Sequence, residues 1–171
     1  MAVRKIVKYG DPVLRRKCPN VKVIDKDILR LVDDMFETMY DAPGIGLAAN
    51  QIGVPLSVAV IDIQPEGKKN PIVLINPKIA ELKGRLLEEE GCLSIPGFLA
   101  KVRRYAYAKC TALDERGFPI TVAGEGLLAR ALQHETDHLS GKFYADRVSL
   151  FKRLKLFHDI RKAKKQNTGK W

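Results

Sequence analysis

Two histidines, His134 and His138, stand four residues apart with a glutamate, Glu135, beside the first. On a helix of about 3.6 residues per turn, positions i and i+4 share a face. Both imidazoles can therefore reach one metal ion without any bend in the backbone. Glu135 points roughly a third of a turn away, where it can meet a water next to that ion. This H-E-x-x-H pattern belongs to metal-assisted hydrolysis, with the glutamate as general base. The bland alternative is two histidines on a half-buried helix face, each satisfied by hydrogen bonds.

A catalytic metal of tetrahedral preference takes three protein ligands and keeps one position open. No glutamate follows Glu135, and Tyr144 stands where a metzincin-type third histidine would fall. Downstream, only Asp146, His158 and Asp159 remain as outside candidates. Upstream, Cys92 in Glu90-Gly91-Cys92-Leu93-Ser94 is better placed, beside a glycine in a turn after a strand. As a thiolate it binds soft or borderline metals, and binding deprotonates it. A thiolate also lowers the charge on the metal, which makes a carboxylate base such as Glu135 matter more. A third constellation is Gly44-Ile45-Gly46-Leu47-Ala48-Ala49-Asn50-Gln51. It lacks the Lys-Ser/Thr of a phosphate loop. Its small residues let a substrate backbone approach closely, and Gln51 can offer a side-chain N–H to an anionic oxygen. The competing reading is a tight loop with a satisfied glutamine.

The elements that must hold these groups are legible from periodicity. Ile28, Leu31, Val32, Met35, Phe36 and Met39 predict a helix over 25–40, capped by Asp25 and stopped by Ala42-Pro43-Gly44. Asp11-Pro12 begins a capped helical turn. The middle of the chain is strand-rich, with candidates at 57–63, 72–76, 79–87, 101–107, 108–113 and 120–123. Gly126 to Leu139 reads as a largely buried helix ended by Ser140-Gly141. A last amphipathic helix over about 150–164 is expected to turn Leu150, Phe151, Leu154, Phe157 and Ile160 inward. Strands followed by the metal helix imply an α+β fold, with antiparallel sheets packed around a central metal-binding helix and a C-terminal amphipathic helix.

The 171 residues fit one domain, 1–171, of which 147–171 form a basic C-terminal helix and tail. No apolar run approaches the roughly 20 residues needed to span a bilayer, and the N-terminus lacks a signal-peptide pattern. The expected location is cytoplasmic, with no membrane partner. Three cysteines without a C-x-x-C pair argue against a disulfide framework. Cys18 and Cys110 read as small apolar residues. The net charge is +10, and the last 26 residues hold nine Lys or Arg against two Asp. Such a tail is a solvated helix face or an attractor of polyanions, with contacts limited to phosphate.

Together the three segments resemble the peptide deformylase family, which carries G-x-G-L-A-A-x-Q, E-G-C-L-S and H-E-x-D-H in that order. All three stand intact here, at 44–51, 90–94 and 134–138. The resemblance covers nearly the whole chain and is loosest after about Arg147. It implies that Cys92, His134 and His138 bind one divalent metal, Fe²⁺ in the natural family enzyme, with Zn²⁺, Ni²⁺ or Co²⁺ able to replace it. Glu135 would be the general base. Gln51 by its side chain and Leu93 by its backbone N–H would hold the developing oxyanion. The substrate would be the N-formylmethionine of new polypeptides, and formate the product. Ile45, Gly46, Leu127 and Ala131 are expected around the methionine pocket. Asp137 is expected to anchor the site through Arg104, and Glu88 and Arg130 to pair across the pocket rim or face solvent. An H-E-x-x-H metalloprotease is the rival enzyme; a structural metal with an RNA-binding tail is the rival non-enzyme. The basic C-terminus suggests docking on the phosphate-rich ribosome.

Overall fold

A computed structural model describes residues 2–166. Among these, seven strands and three helices form two antiparallel sheets around a central helix. The strands are β1 (Gly46–Ala48), β2 (Val58–Ile61), β3 (Ile72–Lys83), β4 (Leu86–Cys92), β5 (Ile95–Arg104), β6 (Tyr107–Leu113) and β7 (Pro119–Glu125). The helices are α1 (Lys26–Asp41), α2 (Gly126–Leu139) and α3 (Leu150–Lys165). Five strands run in the order β1-β2-β3-β6-β7, and β4 pairs with β5 alone.

Strand β2 explains how both faces of the larger sheet are used. Successive side chains of a strand point to opposite sides. Val58 and Val60 pack with Ile28, Leu31, Val32, Met35 and Met39 of α1. Ala59 and Ile61 pack instead with Ala129, Leu132 and Leu139 of α2. Helix α1 starts where expected, because the Asp25 carboxylate accepts hydrogen bonds from the N–H groups of Asp27 and Ile28, both at 3.0 Å. Cys18 and Cys110 are buried in the α2-side core, and burial pushes both thiols up to about 11.

Three expectations need correction. The candidates at 72–76 and 79–87 are one strand, β3, interrupted by irregular pairing after Ile75, where Asn76 takes a positive φ of 55° before Pro77. Strand β4 begins only at Leu86, beyond a turn at Gly84 (φ 66°). The inward face proposed for the last helix is half right. Phe157 and Ile160 are buried beside Leu14, Phe143 and Tyr144, but Leu150, Phe151 and Leu154 are 67%, 81% and 57% exposed. The C-terminal half of α3 has a core to lie on, and its first turn projects past it. The end of the predicted basic tail, 167–171, lies outside the described residues.

Candidate metal centre

Helix α2 divides its faces between core and chemistry. Leu132 and Leu139 are buried on the sheet, while Leu127, Ala131, His134 and Glu135 line a cavity of about 560 Å³. Its C-terminal stop is steric as well as conformational. Gly141 sits at φ 71°, and a Cβ there would strike the Arg15 carbonyl. The wall opposite α2 is the β4–β5 hairpin. Cys92 faces Ile95 across the two-residue turn Leu93-Ser94, so the cysteine ends a strand rather than following one. The N-terminal segment ties the hairpin tip down: Tyr9 N–H donates to the Ser94 carbonyl and Lys8 Nζ to the Leu93 carbonyl, each at 2.9 Å.

This geometry brings three potential ligands together. Cys92 Sγ lies 3.2 Å from His138 Nε2, which lies 3.1 Å from His134 Nε2. One ligand atom from each of the three residues falls within 4.8 Å of the others. Edges of a tetrahedron with bonds of about 2.0–2.3 Å run roughly 3.3–3.7 Å, so these spacings suit donors around one ion. The donor set of one thiolate and two imidazoles suits a borderline divalent cation. Asp146 is instead paired with Arg15 at 2.5 Å, and His158 lies in a separate groove on α3 beside Phe151 and Leu154. Among the described residues the group close enough to share an ion is Cys92, His134 and His138, so none of Asp146, His158 and Asp159 supplies the downstream ligand of a metalloprotease reading.

The ligands are held by a buried ionic network. His134 Nδ1 is 3.1 Å from Glu90 Oε2, an arrangement that leaves Nε2 as the free lone pair when Nδ1 donates. Arg104 grips Glu90 with two hydrogen bonds, at 2.8 and 2.9 Å, and reaches Asp137 Oδ2 at 2.6 Å. Arg147 also pairs with Asp137. The Asp137–Arg104 link was expected; Glu90 and Arg147 were not singled out, though the Glu90 position inside the E-G-C-L-S motif was a usable signal. Asn50 Nδ2 donates to the His138 carbonyl at 2.7 Å, a second missed contact that fixes the end of α2 to the glycine-rich segment.

Electrostatics follow from burial. Burial and the charges of His134, Arg104 and Arg15 hold His138 well below the usual imidazole range, so it is neutral, the form a metal ligand needs. Burial alone would depress His134 too, but hydrogen bonds to Cys92 and Glu90 and the nearby negative charges raise it; a metal ion binding there displaces a proton. Burial of Glu90 is outweighed by His134 and Arg104, which pull its carboxyl down to about 2. Glu135 is pushed up to about 7, mainly by burial. Its Oε2 has no hydrogen-bond partner among the described residues.

Gln51 is oriented by its neighbours. Its Oε1 accepts from Ala48 N–H at 2.9 Å, which turns Nε2 toward Cys92 Sγ (3.5 Å) and Ser94 Oγ (3.3 Å). Ile45, Gly46, Gln51, Leu93, Leu127 and Ala131 all border the same cavity as Cys92 and His134. Arg130 also lines it and pairs loosely with the exposed Glu88, at 3.8 Å.

A buried carboxylate beside a Cys-His-His ligand set, on an α+β frame, defines a metal-dependent hydrolase. Comparison with known proteins gives the family. The sequence profile described as polypeptide deformylase matches residues 3–154. A peptide deformylase of Rhizobium meliloti is 48% identical over 172 residues, 99% of this chain and 99% of the relative. Peptide deformylase 1 of Clostridium acetobutylicum is 50% identical over 149 residues, 87% of this chain and 97% of its own length. The crystal structure of a peptide deformylase from Legionella pneumophila superposes with a TM-score of 0.90 at 45% identity, covering 96% of this chain and 97% of that one. The chain belongs to the polypeptide deformylase family and removes the N-formyl group from peptides.

Proposed function

We propose that Glu135 is the general base of this deformylation, that Gln51 and Leu93 hold the oxyanion, and that Cys92, His134 and His138 hold one Fe²⁺, with Zn²⁺, Ni²⁺ or Co²⁺ acceptable to the same donors. The supporting observation is that a buried carboxylate, an oriented amide, Cys92 and His134 border one cavity, with the His138 ligand atom clustered beside the other two. When bound, the cation would polarise the formyl carbonyl and acidify the attacking water. Everything else falls to the chain. Glu135 takes a proton from that water and later delivers it to the leaving amine. A carboxyl near 7 has the proton affinity this exchange needs. Gln51, its Oε1 tethered by Ala48, presents Nε2–H to the oxygen where charge develops, and the Leu93 N–H joins it from the hairpin turn. Ile45, Gly46, Leu127 and Ala131 enclose the methionine side chain beside the scissile amide. Formate and a peptide with a free amine leave.

The substrate is then the N-formylmethionyl end of a new polypeptide. The same reading makes 1–171 one catalytic domain working in the cytoplasm. It assigns the basic, partly apolar α3 to docking on the ribosome, supported by the exposed Leu150, Phe151 and Leu154 among its lysines and arginines. Among the described residues, no helix is long and apolar enough to cross a membrane. Glu135→Gln tests the central assignment. It should retain a full complement of metal while formate release from a formyl-Met peptide falls about 10²–10⁴-fold. A variant that keeps both its metal and its rate would remove Glu135 from the reaction.

A further inference from the structure

The face of α2 turned away from the metal borders a second cavity, of about 730 Å³. Its lining carries six Lys or Arg side chains and one carboxylate, Asp137. Two of those cations, Arg104 and Arg147, are already engaged with Asp137. The other four are Lys17, Lys78, Arg103 and Lys142. None of them makes an ion pair or a side-chain hydrogen bond among the described residues. They arrive from separate places: the segment after the first 3₁₀ turn, β3, β5, and the loop leaving α2. Ser57 lines the same space; it is only 6% exposed, and its hydroxyl has no partner among the described residues.

We infer that this rear cavity is a phosphate-binding site. Positive charges gathered around one depression repel one another and create a field that draws an anion in. The occupant meets donors supplied by several separate segments. A carboxylate offers two oxygens in one plane, whereas a phosphate group spreads its oxygens tetrahedrally and carries more charge. Four exposed cations drawn from four segments, with the Ser57 hydroxyl at the wall, fit the latter. The group is either free inorganic phosphate or a phosphate of a nucleic-acid backbone; the chemistry of recognition is the same. Its place behind α2 separates it from the formyl-peptide cavity, so filling it leaves substrate access open.

The test uses metal-loaded full-length protein. Inorganic phosphate is titrated calorimetrically into the wild type, into Arg103→Ala/Lys142→Ala, and into Lys162→Ala/Lys165→Ala, which removes the same charge from α3. The wild type and the α3 variant should bind phosphate alike, and the rear-cavity variant about tenfold or more weakly, as expected for lost charge-assisted hydrogen bonds. Formate release should be the same in all three, since none of the altered residues borders the catalytic cavity. A short RNA hairpin that displaces phosphate, and that also weakens in the rear-cavity variant, identifies the backbone as the source. A hairpin that leaves phosphate in place identifies the free anion. Absence of phosphate binding by the wild type, or equal loss in both variants, overturns the site.

Discussion

A Cβ on Gly46 would run into the Glu135 carboxylate, so the glycine sets where the base can sit. Gly46→Ala should push that carboxylate off its position without touching a ligand. We expect formate release to fall about 10²-fold, as small misplacements of reacting groups do, with metal content unchanged. Glu90 acts through His134 and Arg104, and its effect belongs to stability. Its folded carboxyl lies at about 2 against an ordinary 4.5. A depressed carboxyl stabilises the fold fully above its unfolded value and loses that contribution as pH falls through the folded one. The shift corresponds to a contribution on the order of 3 kcal/mol. Metal-free Glu90→Gln should therefore be less stable than the metal-free wild type at pH 7 by about that amount. The gap should close between pH 4.5 and 2, read from urea unfolding curves.

At the scale of elements, α3 shows where packing ends and surface begins. Ile160 is fully buried, and Ile160→Ala should cost about 2–4 kcal/mol by urea unfolding. Phe151 is 81% exposed, and Phe151→Ser should change stability by less than about 0.5 kcal/mol; if α3 docks on the ribosome as proposed, the same variant weakens co-sedimentation with ribosomes. The same helix marks what a sequence can and cannot say. Its periodicity shows which side chains share a stripe but not how far the opposing surface extends, so Phe157 and Phe151 looked alike. Helices α1 and α2 were readable almost to the residue because their caps, Asp25 and Ser140-Gly141, reinforce the apolar pattern. Strand β1 was not, since three residues offer no alternation to detect. Cys92, His134 and Glu135 were legible because metal chemistry restricts residue type and spacing. The Glu90–Arg104–Asp137–Arg147 bracing was mostly hidden, because such partners are chosen by the folded surface and its successive pairs sit 14, 33 and 10 positions apart.

Across the whole molecule, the ligand set is drawn from two layers. Cys92 comes from the two-stranded sheet, and the histidines from a helix seated on the five-stranded one. A cation held by all three would add a further link between layers that already meet through side-chain packing, the Arg104 network and the Gln51 hydrogen bonds.

The unequal shelter of the three sulfurs gives the protein its own loading gauge. Cys18 and Cys110 are enclosed and held as thiols, whereas Cys92 is half-open at the cavity wall. A colorimetric thiol reagent should count one accessible group in chelator-treated protein, none once an ion is coordinated, and all three after denaturation. Titrating that count follows occupancy directly, whichever element the cell supplies.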